Sequence, residues 1–501
     1  MKSPLIPPAR RAAPSPAILA ASPNRLRRAA RAAVIAAIVT IAALLAVSPA
    51  PTFAAAADTF ETRLPNGLQV IVKEDHRAPS VVHMVWYRVG SMDEKDGTSG
   101  VAHMLEHMMF KGTKTLKAGE FNRRVADAGG RDNAFTNYDY TAYFQIVPKA
   151  ALPEMMRLEA DRMAHLSFAP ADFDSELKVV KEERRLRTDD NPQSLVFEAA
   201  RATAFWAHPY RRPIIGWMDD LDHMTRQDAL RWYTLWYAPN NAYVVVVGDV
   251  DHREVFRLAQ RFYGGYKAHM LPVRKPQNEP PQRGIRRITY KAPAKLPYLL
   301  MLWKAPRLND PQRDRDPFAL EVLAAVLDGH EAARLGKDLV RGSRVAQSAS
   351  ASYDGSVRGE ASFMLDGQPG EGKTVADLEA ALREEIARIQ QQGVSAEELT
   401  RVKTQLVAAQ VYKRDSLMAQ AMEIGGIEAI GLSWRDIDLL TEKLKSVSAE
   451  EVQAVAKKYF TDDTLTVAVL DPQPLPASDT AAASATTAAA TPAPNPAAPA
   501  R

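Results

Sequence analysis

Between residues 58 and 471 the apolar positions switch between two spacings, and the switching predicts a chain of mixed strands and helices. Glu61-Thr-Arg-Leu-Pro-Asn-Gly-Leu-Gln-Val-Ile-Val72 reads as a strand, an Asn-Gly turn and a second strand. Ser80 to Val89 is a further apolar strand, and Asn133 to Val147 alternates as another. Gly100 to Phe110 has helical character, with Met104, Leu105 and Met108 available for packing. Longer amphipathic helices are predicted over Leu152 to Leu166 and Ala171 to Thr188. Tyr243 to Val247 is a short run of buried-strand type, closed by Gly248-Asp249.

Past Pro272 to Arg283, a stretch rich in Pro, Gln and charge that reads as a linker, the pattern starts again. Tyr237-Ala-Pro-Asn-Asn-Ala-Tyr-Val-Val-Val-Val-Gly-Asp-Val250 has a gapless partner in Tyr459-Phe-Thr-Asp-Asp-Thr-Leu-Thr-Val-Ala-Val-Leu-Asp-Pro472. Each follows a helix for which Thr225 or Ser448 is the N-cap candidate. Ser395 to Arg414 answers the helix at Ala171 to Thr188, and Asp316 to Leu327 stands where the first half carries its histidines. The expected fold is therefore α+β, with two homologous halves of roughly 200 residues, each an antiparallel sheet backed by helices. Two unrelated domains with similar ends would leave the same trace. The expected organisation is a leader over 1–57, a first domain over 58–271, a linker over 272–283, a second domain over 284–471 and a tail over 472–501. That tail is almost entirely Ala, Pro, Thr and Ser, a composition that cannot bury a core.

Charge and composition narrow the function. The formal charge is +4, and seven basic residues precede the first acid, Asp58; the remainder carries −3. No basic stripe interleaved with aromatics is present, which argues against nucleic acid as a partner. Cysteine is absent, so a metal site must use His and carboxylates. At the N-terminus Arg25, Arg27, Arg28 and Arg31 precede an uncharged run from Ala32 to Val47, then small residues. That order is a secretory signal, and the run is short of the roughly 20 residues of a membrane span. A cleaved signal implies a periplasmic or secreted protein. An uncleaved inner-membrane anchor and a mitochondrial presequence fit the same order.

The chemistry concentrates in His103-Met-Leu-Glu106-His107. On a helix, residues four apart share a face, so both imidazoles can reach one metal. Glu106, one turn after His103, can face a water rather than bind the metal. This is the H-x-x-E-H order of a class of zinc peptidases. A catalytic zinc needs a third protein ligand and an open fourth position. Glu183, in Ser175-Glu-Leu-Lys-Val-Val-Lys-Glu-Glu-Arg184, supplies a candidate ligand. Glu176 lies seven residues before it on the same face, placed to orient an imidazole. Glu182 is turned about 100° away. A lone pair of histidines at this spacing is common by chance, and a charged helix is usually just a solvated face; their conjunction points to zinc. Trp232, Trp236 and Tyr237 read as core. His208, Tyr210 and His223 read as ordinary histidine and tyrosine positions or as cleft lining, and His330 reads as structural.

These residues resemble the pitrilysin or insulinase-like metallopeptidases, the family that includes the mitochondrial processing peptidase β subunit. The likeness runs from about Phe60 to Asp471 and is densest from Gly90-Ser-Met-Asp-Glu to Gly100-Val-Ala-His-Met-Leu-Glu-His-Met-Met-Phe-Lys-Gly-Thr113. It implies zinc on His103, His107 and Glu183, Glu106 as general base, and Glu176 as supporting carboxylate. It also implies that Asn133, Ala134, Phe135 and Thr136 form an edge strand that pairs with an extended substrate. The two halves would face each other across a cavity suited to unfolded peptides or presequences. Active single-chain members carry an Arg and a Tyr, seven apart, in the second half. Val340 and Gln347 stand at those positions here, with Arg341 and Tyr353 nearby but out of register. The expectation is a zinc endopeptidase subunit paired with a homologous zinc-free subunit, a homodimer being the alternative. A non-catalytic assembly subunit and a peptide-holding protein are the competing readings.

Overall fold

The computed structural model describes Asp58–Leu475, so the expected leader and nearly all of the expected tail lie outside the described residues. Two sheets organise the chain. The first joins β1 (Thr59–Arg63), β2 (Gln69–Glu74), β3 (Ser80–Tyr87), β4 (Arg131–Thr136), β5 (Thr141–Pro148) and β6 (Ala242–Gly248) in the order β1-β2-β6-β3-β5-β4. The second joins β7 (Arg286–Pro293), β8 (Tyr298–Ala305), β9 (Ala346–Tyr353), β10 (Ala361–Pro369) and β11 (Leu465–Gln473) in the order β7-β11-β8-β10-β9. Without β1, the first order becomes the second, strand for strand. All neighbours are antiparallel except one pair in each sheet, β2 with β6 and β7 with β11. The repeated segments after Tyr237 and Tyr459 are thus the equivalent strands β6 and β11. The helices before them open on capping boxes at Thr225 and Ser448. Strand β11 continues through Pro472 and Gln473, which pair with Ala292 and Pro293.

One expected element divides. The alternation over 133–147 predicts a single strand, but the chain folds back as a hairpin, β4 and β5. The break is local chemistry: the Asn137 side chain accepts the backbone N–H groups of Asp139 and Tyr140 at 2.7 and 2.9 Å, closing a turn. The fold back leaves β4 on the sheet edge with one side of its backbone unpaired by any strand.

Strand side chains alternate between two faces, and β3 is buried on both. One face of the first sheet packs against that half's own helices, through residues such as Val70, Val85, Leu105 and Leu158. The other face, with Met84, Trp86, Tyr243 and Val245, is covered by Ala421 and Ile424 of the helix Leu417–Ala429, from the second half of the chain. Reciprocally, Val196 and Ala200 of the helix Pro192–Ala204 cover Ala292, Leu300 and Ala468 of the second sheet. Each half therefore lends one helix to the other's sheet. Gly425 makes one of these contacts possible: a Cβ there would lie 2.1 Å from Trp86 Cε2.

Residues 267–283 form neither helix nor strand. Glu279 anchors this segment to both halves. Its carboxylate accepts the backbone N–H groups of Trp206, Ala207 and His208 at 2.8–3.1 Å and pairs with Lys304 of β8 at 3.0 Å. Burial works against its charge, yet these donors hold its pKa down to about 2. Among the described residues no helix is long and apolar enough to cross a membrane.

Candidate metal centre

The helix Val101–Met108 carries the histidines, and its start is fixed by glycine and a buried carboxylate. Gly100 adopts φ +86°, and a Cβ there would meet the Ile215 carbonyl oxygen at 2.4 Å, so the two backbones touch. Glu94 accepts the N–H groups of Gly100 and Ala102 at 3.0 and 2.8 Å, answering donors that a helix start leaves unpaired. Burial raises the Glu94 carboxyl to about 8 in spite of these bonds. Ser99 ties the same turn to the chain around Trp217 and Asp220. Glu94 and Ser99 were not singled out by motif spacing. The signal that could have found them is their position in the turn just ahead of the motif.

The predicted donors converge. His107 Nε2 lies 3.2 Å, and His103 Nε2 3.7 Å, from Glu183 Oε2. One ligand atom from each of the three residues lies within 4.8 Å of the others. Zinc bonds of about 2.0–2.1 Å in a tetrahedron separate ligands by roughly 3.4 Å, so two of these distances bracket that spacing. His103 Nδ1 is buried with no hydrogen-bond partner. Burial, with the charge of His107 adding to it, lowers the His103 pKa to about 4, which keeps the ring neutral and able to bind a metal. The residues present fit a zinc ion.

Glu183 lies in the last turn of the helix Pro170–Arg184, and the chain passes directly into a π-helical turn, Arg185–Asp189. Wide turns of this kind recur where a helix must re-aim its side chains. Arg187, from that turn, holds Glu183 Oε1 at 2.8 Å, leaving Oε2 to face both imidazoles. Two turns earlier on the same face, Glu176 Oε1 meets His107 Nδ1 at 3.0 Å, and its other oxygen is paired with Lys111. Burial disfavours a charge on His107, but its hydrogen bonds to Glu176 and Glu183 carry its pKa up to about 9. Sequence spacing located Glu176 and Glu183 and missed Arg187 and Lys111, whose partners only the fold supplies.

Glu106 lines the same cavity, of about 480 Å³, as His103 and His107. Its Oε2 is buried and unpartnered. Burial raises its pKa above the ordinary carboxylate range, and a hydrogen bond with Thr136 pulls the other way. Asn133, Ala134, Phe135 and Thr136 form the opposite wall, so the open edge of β4 borders the donor cluster. A second cavity of about 500 Å³ shares His103, Thr136, Glu183 and Arg187 with the first and extends towards Phe197 and Ile214.

Other flagged residues lie elsewhere. Trp232, Trp236 and Tyr237 are core. Tyr210 is buried with its hydroxyl donated to Asp139, His208 lines a different cavity, and His223 sits exposed against the Asp219 carbonyl. His330 accepts the Ala332 N–H. Val340 packs on the second core and Gln347 is exposed on β9. Tyr353 donates to the Pro306 carbonyl at 2.6 Å, and Arg341 is engaged by the Glu331 carbonyl. Tyr298 is the second half's contribution to the lining of the two cavities at the metal cluster.

Two equivalent half-sheets, with an inverted histidine–glutamate motif beside one sheet edge, define the class of two-half peptidase folds. Residues 69–217 match the family described as Insulinase (Peptidase family M16), and residues 223–406 match Peptidase M16 inactive domain. The chain belongs to peptidase family M16. It is 33% identical over 422 residues to the zinc protease PqqE of Helicobacter pylori, spanning 82% of this chain and 92% of that protein. It is 28% identical to an uncharacterized zinc protease of Mycobacterium leprae, spanning 81% and 90% respectively. The crystal structure of a protease from Helicobacter pylori superposes with a TM-score of 0.79 at 29% identity, over 83% of this chain and 99% of that one.

Proposed function

We propose that the chain is a zinc-dependent endopeptidase acting on extended peptides, and the catalytic member of a dimer. The observation that carries this is the convergence of His103, His107 and Glu183 at zinc-like spacing, with an unpartnered Glu106 oxygen beside the open edge of β4. Zinc held there supplies a Lewis acid that acidifies water and polarises a peptide carbonyl. Glu106 acts as the base: Oε2 takes a proton from the attacking water. The same carboxyl delivers that proton to the departing amide nitrogen as the C–N bond breaks. The backbone of Asn133 to Thr136 pairs with the substrate as an added strand, which requires an unfolded segment. Glu176 fixes His107 through Nδ1 and keeps Nε2 turned towards Glu183.

A homologous zinc-free partner completes the site. Support comes from the second half's small share of the cavity lining, and from Val340 and Gln347 standing where single-chain relatives carry Arg and Tyr. A homodimer is the alternative assembly. The basic, apolar, small-residue order of the leader supports export to the periplasm or beyond.

The test is hydrolysis of unstructured peptides by the purified, zinc-loaded chain lacking residues 1–57, with and without a homologous subunit from the same organism that lacks the zinc motif. Chelator-sensitive cleavage only with the homologue supports the split enzyme, and cleavage by the chain alone supports a self-sufficient one. Zinc binding without cleavage in either case would replace the peptidase with a peptide-holding protein.

A further inference from the structure

The second cavity at the metal cluster has a chemical character of its own. Its walls include Tyr138, Phe197, Ile214 and Ile215, and its charged groups are unequally neutralised. Glu198 is spent on Arg184, which meets both its oxygens at 2.8 and 2.9 Å. Arg211 and Arg212 share Asp96, and Arg187 is paired with Glu183. Arg201 is different. It is only 8% exposed, and among the described residues no carboxylate lies within ion-pair distance of it. Its Nε donates to the Tyr210 carbonyl at 3.3 Å, and its guanidinium lies over the Tyr138 ring at 4.6 Å. None of these groups carries negative charge, so among the described residues a buried cation borders the cavity without a counter-ion.

A buried guanidinium left without a carboxylate is costly, and its fork matches a carboxylate better than any other peptide group. We propose that Arg201 is a specificity-determining residue that receives a carboxylate of the peptide substrate in this cavity, with Phe197, Ile214 and Ile215 packing on the stem that carries it. The proposal rests on the peptidase reading and gives it a substrate class: acidic rather than basic segments beside the cut. The carboxylate has two possible sources, an internal Asp or Glu side chain or the substrate's own C-terminus.

The test measures binding to the full exported chain bearing Glu106→Gln, so that no turnover is needed. The probes are fluorescein-labelled unstructured decapeptides, amidated at the C-terminus, with Glu, Gln or Lys scanned along the sequence. A further probe is the Gln peptide with a free C-terminus. The Glu peptide, or the free-acid peptide, is expected to bind about 10- to 100-fold more tightly than the amidated Gln peptide, the range of a charged hydrogen-bond partner. Which of the two gains identifies the source. Arg201→Gln should erase the difference, and Arg201→Lys should restore part of it. The wild-type comparison among peptides stands even if an Arg201 variant fails to fold. Equal binding of all peptides, no binding of any, or a preference that survives Arg201→Gln in a folded chain overturns the proposal. The peptidase reading fails separately, if the wild-type chain binds acidic peptides and cuts none of them with either assembly.

Discussion

Apart from β1 the two halves share a strand order, yet the helices that follow β3 and β8 differ in character. In the first, Val101–Met108 lies between β3 and the edge strand β4, is eight residues long, and turns His103, Glu106 and His107 towards a cavity. In the second, Asp316–Asp328 lies between β8 and the edge strand β9 and packs against it; nine of its thirteen residues are buried apolar ones. Its central carboxylate, Glu321, is pushed up to about 7 by burial, and the helix carries no histidine. Equal topology thus supports a core-packed helix with one polar face turned to a cavity in one place, and a helix packed on nearly all sides in the other. Chemistry in this molecule follows the helix face, not the sheet.

The comparison can be broken most sharply at Glu106. Glu106→Gln should lower kcat about 10²- to 10⁴-fold while zinc content per chain stays unchanged. Activity within a few-fold of wild type would remove the proposed base. In the opposite helix, Leu323→Ala should cost about 2–5 kcal/mol of stability, read from denaturant midpoints, with zinc affinity of the folded chain untouched. A matching loss of zinc affinity would mean that the two helices are not separable in role.

Glu279 tests what joins the halves. Folding lowers its pKa, so the unfolded chain takes up the proton first as pH falls. Its contribution, about 3 kcal/mol, is complete above the ordinary glutamate value near 4.3 and drains away as pH drops towards 2. Glu279→Gln should flatten the stability profile in that window; an unchanged slope would show that the anchor contributes nothing there. The smallest effect is expected at Glu176. Glu176→Gln should weaken zinc binding about 10- to 100-fold by freeing His107 to reorient, measured by competition with a chromophoric chelator. Unchanged affinity would reduce Glu176 to a partner of Lys111.

Much of the site was legible because helical spacing is a strong geometric rule. His103 and His107 four apart, and Glu176 and Glu183 seven apart, had to share faces if their segments were helical, and they do. The repeat around Tyr237 and Tyr459 likewise revealed equivalent strands. Periodicity could not show the turn inside 133–147, because Asn137 interrupts the strand by a side-chain hydrogen bond without disturbing the alternation. Nor could it show that Pro192–Ala204 and Leu417–Ala429 cover each other's sheets, since an apolar face does not name its partner. Gly425-Gly426, inside a largely apolar helix, was the available hint of close approach.

The exchange of helices also sets a timetable for synthesis. The strands of the first sheet are all made once Gly248 has emerged, but the side of that sheet bearing Trp86 and Tyr243 waits for Leu417–Ala429. That is roughly 170–180 residues later, or about 10–40 s at ribosomal rates of 5–20 residues per second. Through that interval a nascent first half presents a bare apolar plane with an open strand edge, a surface that chaperones bind and that other nascent chains can stick to. Delivery of the whole chain before folding begins would remove the interval altogether.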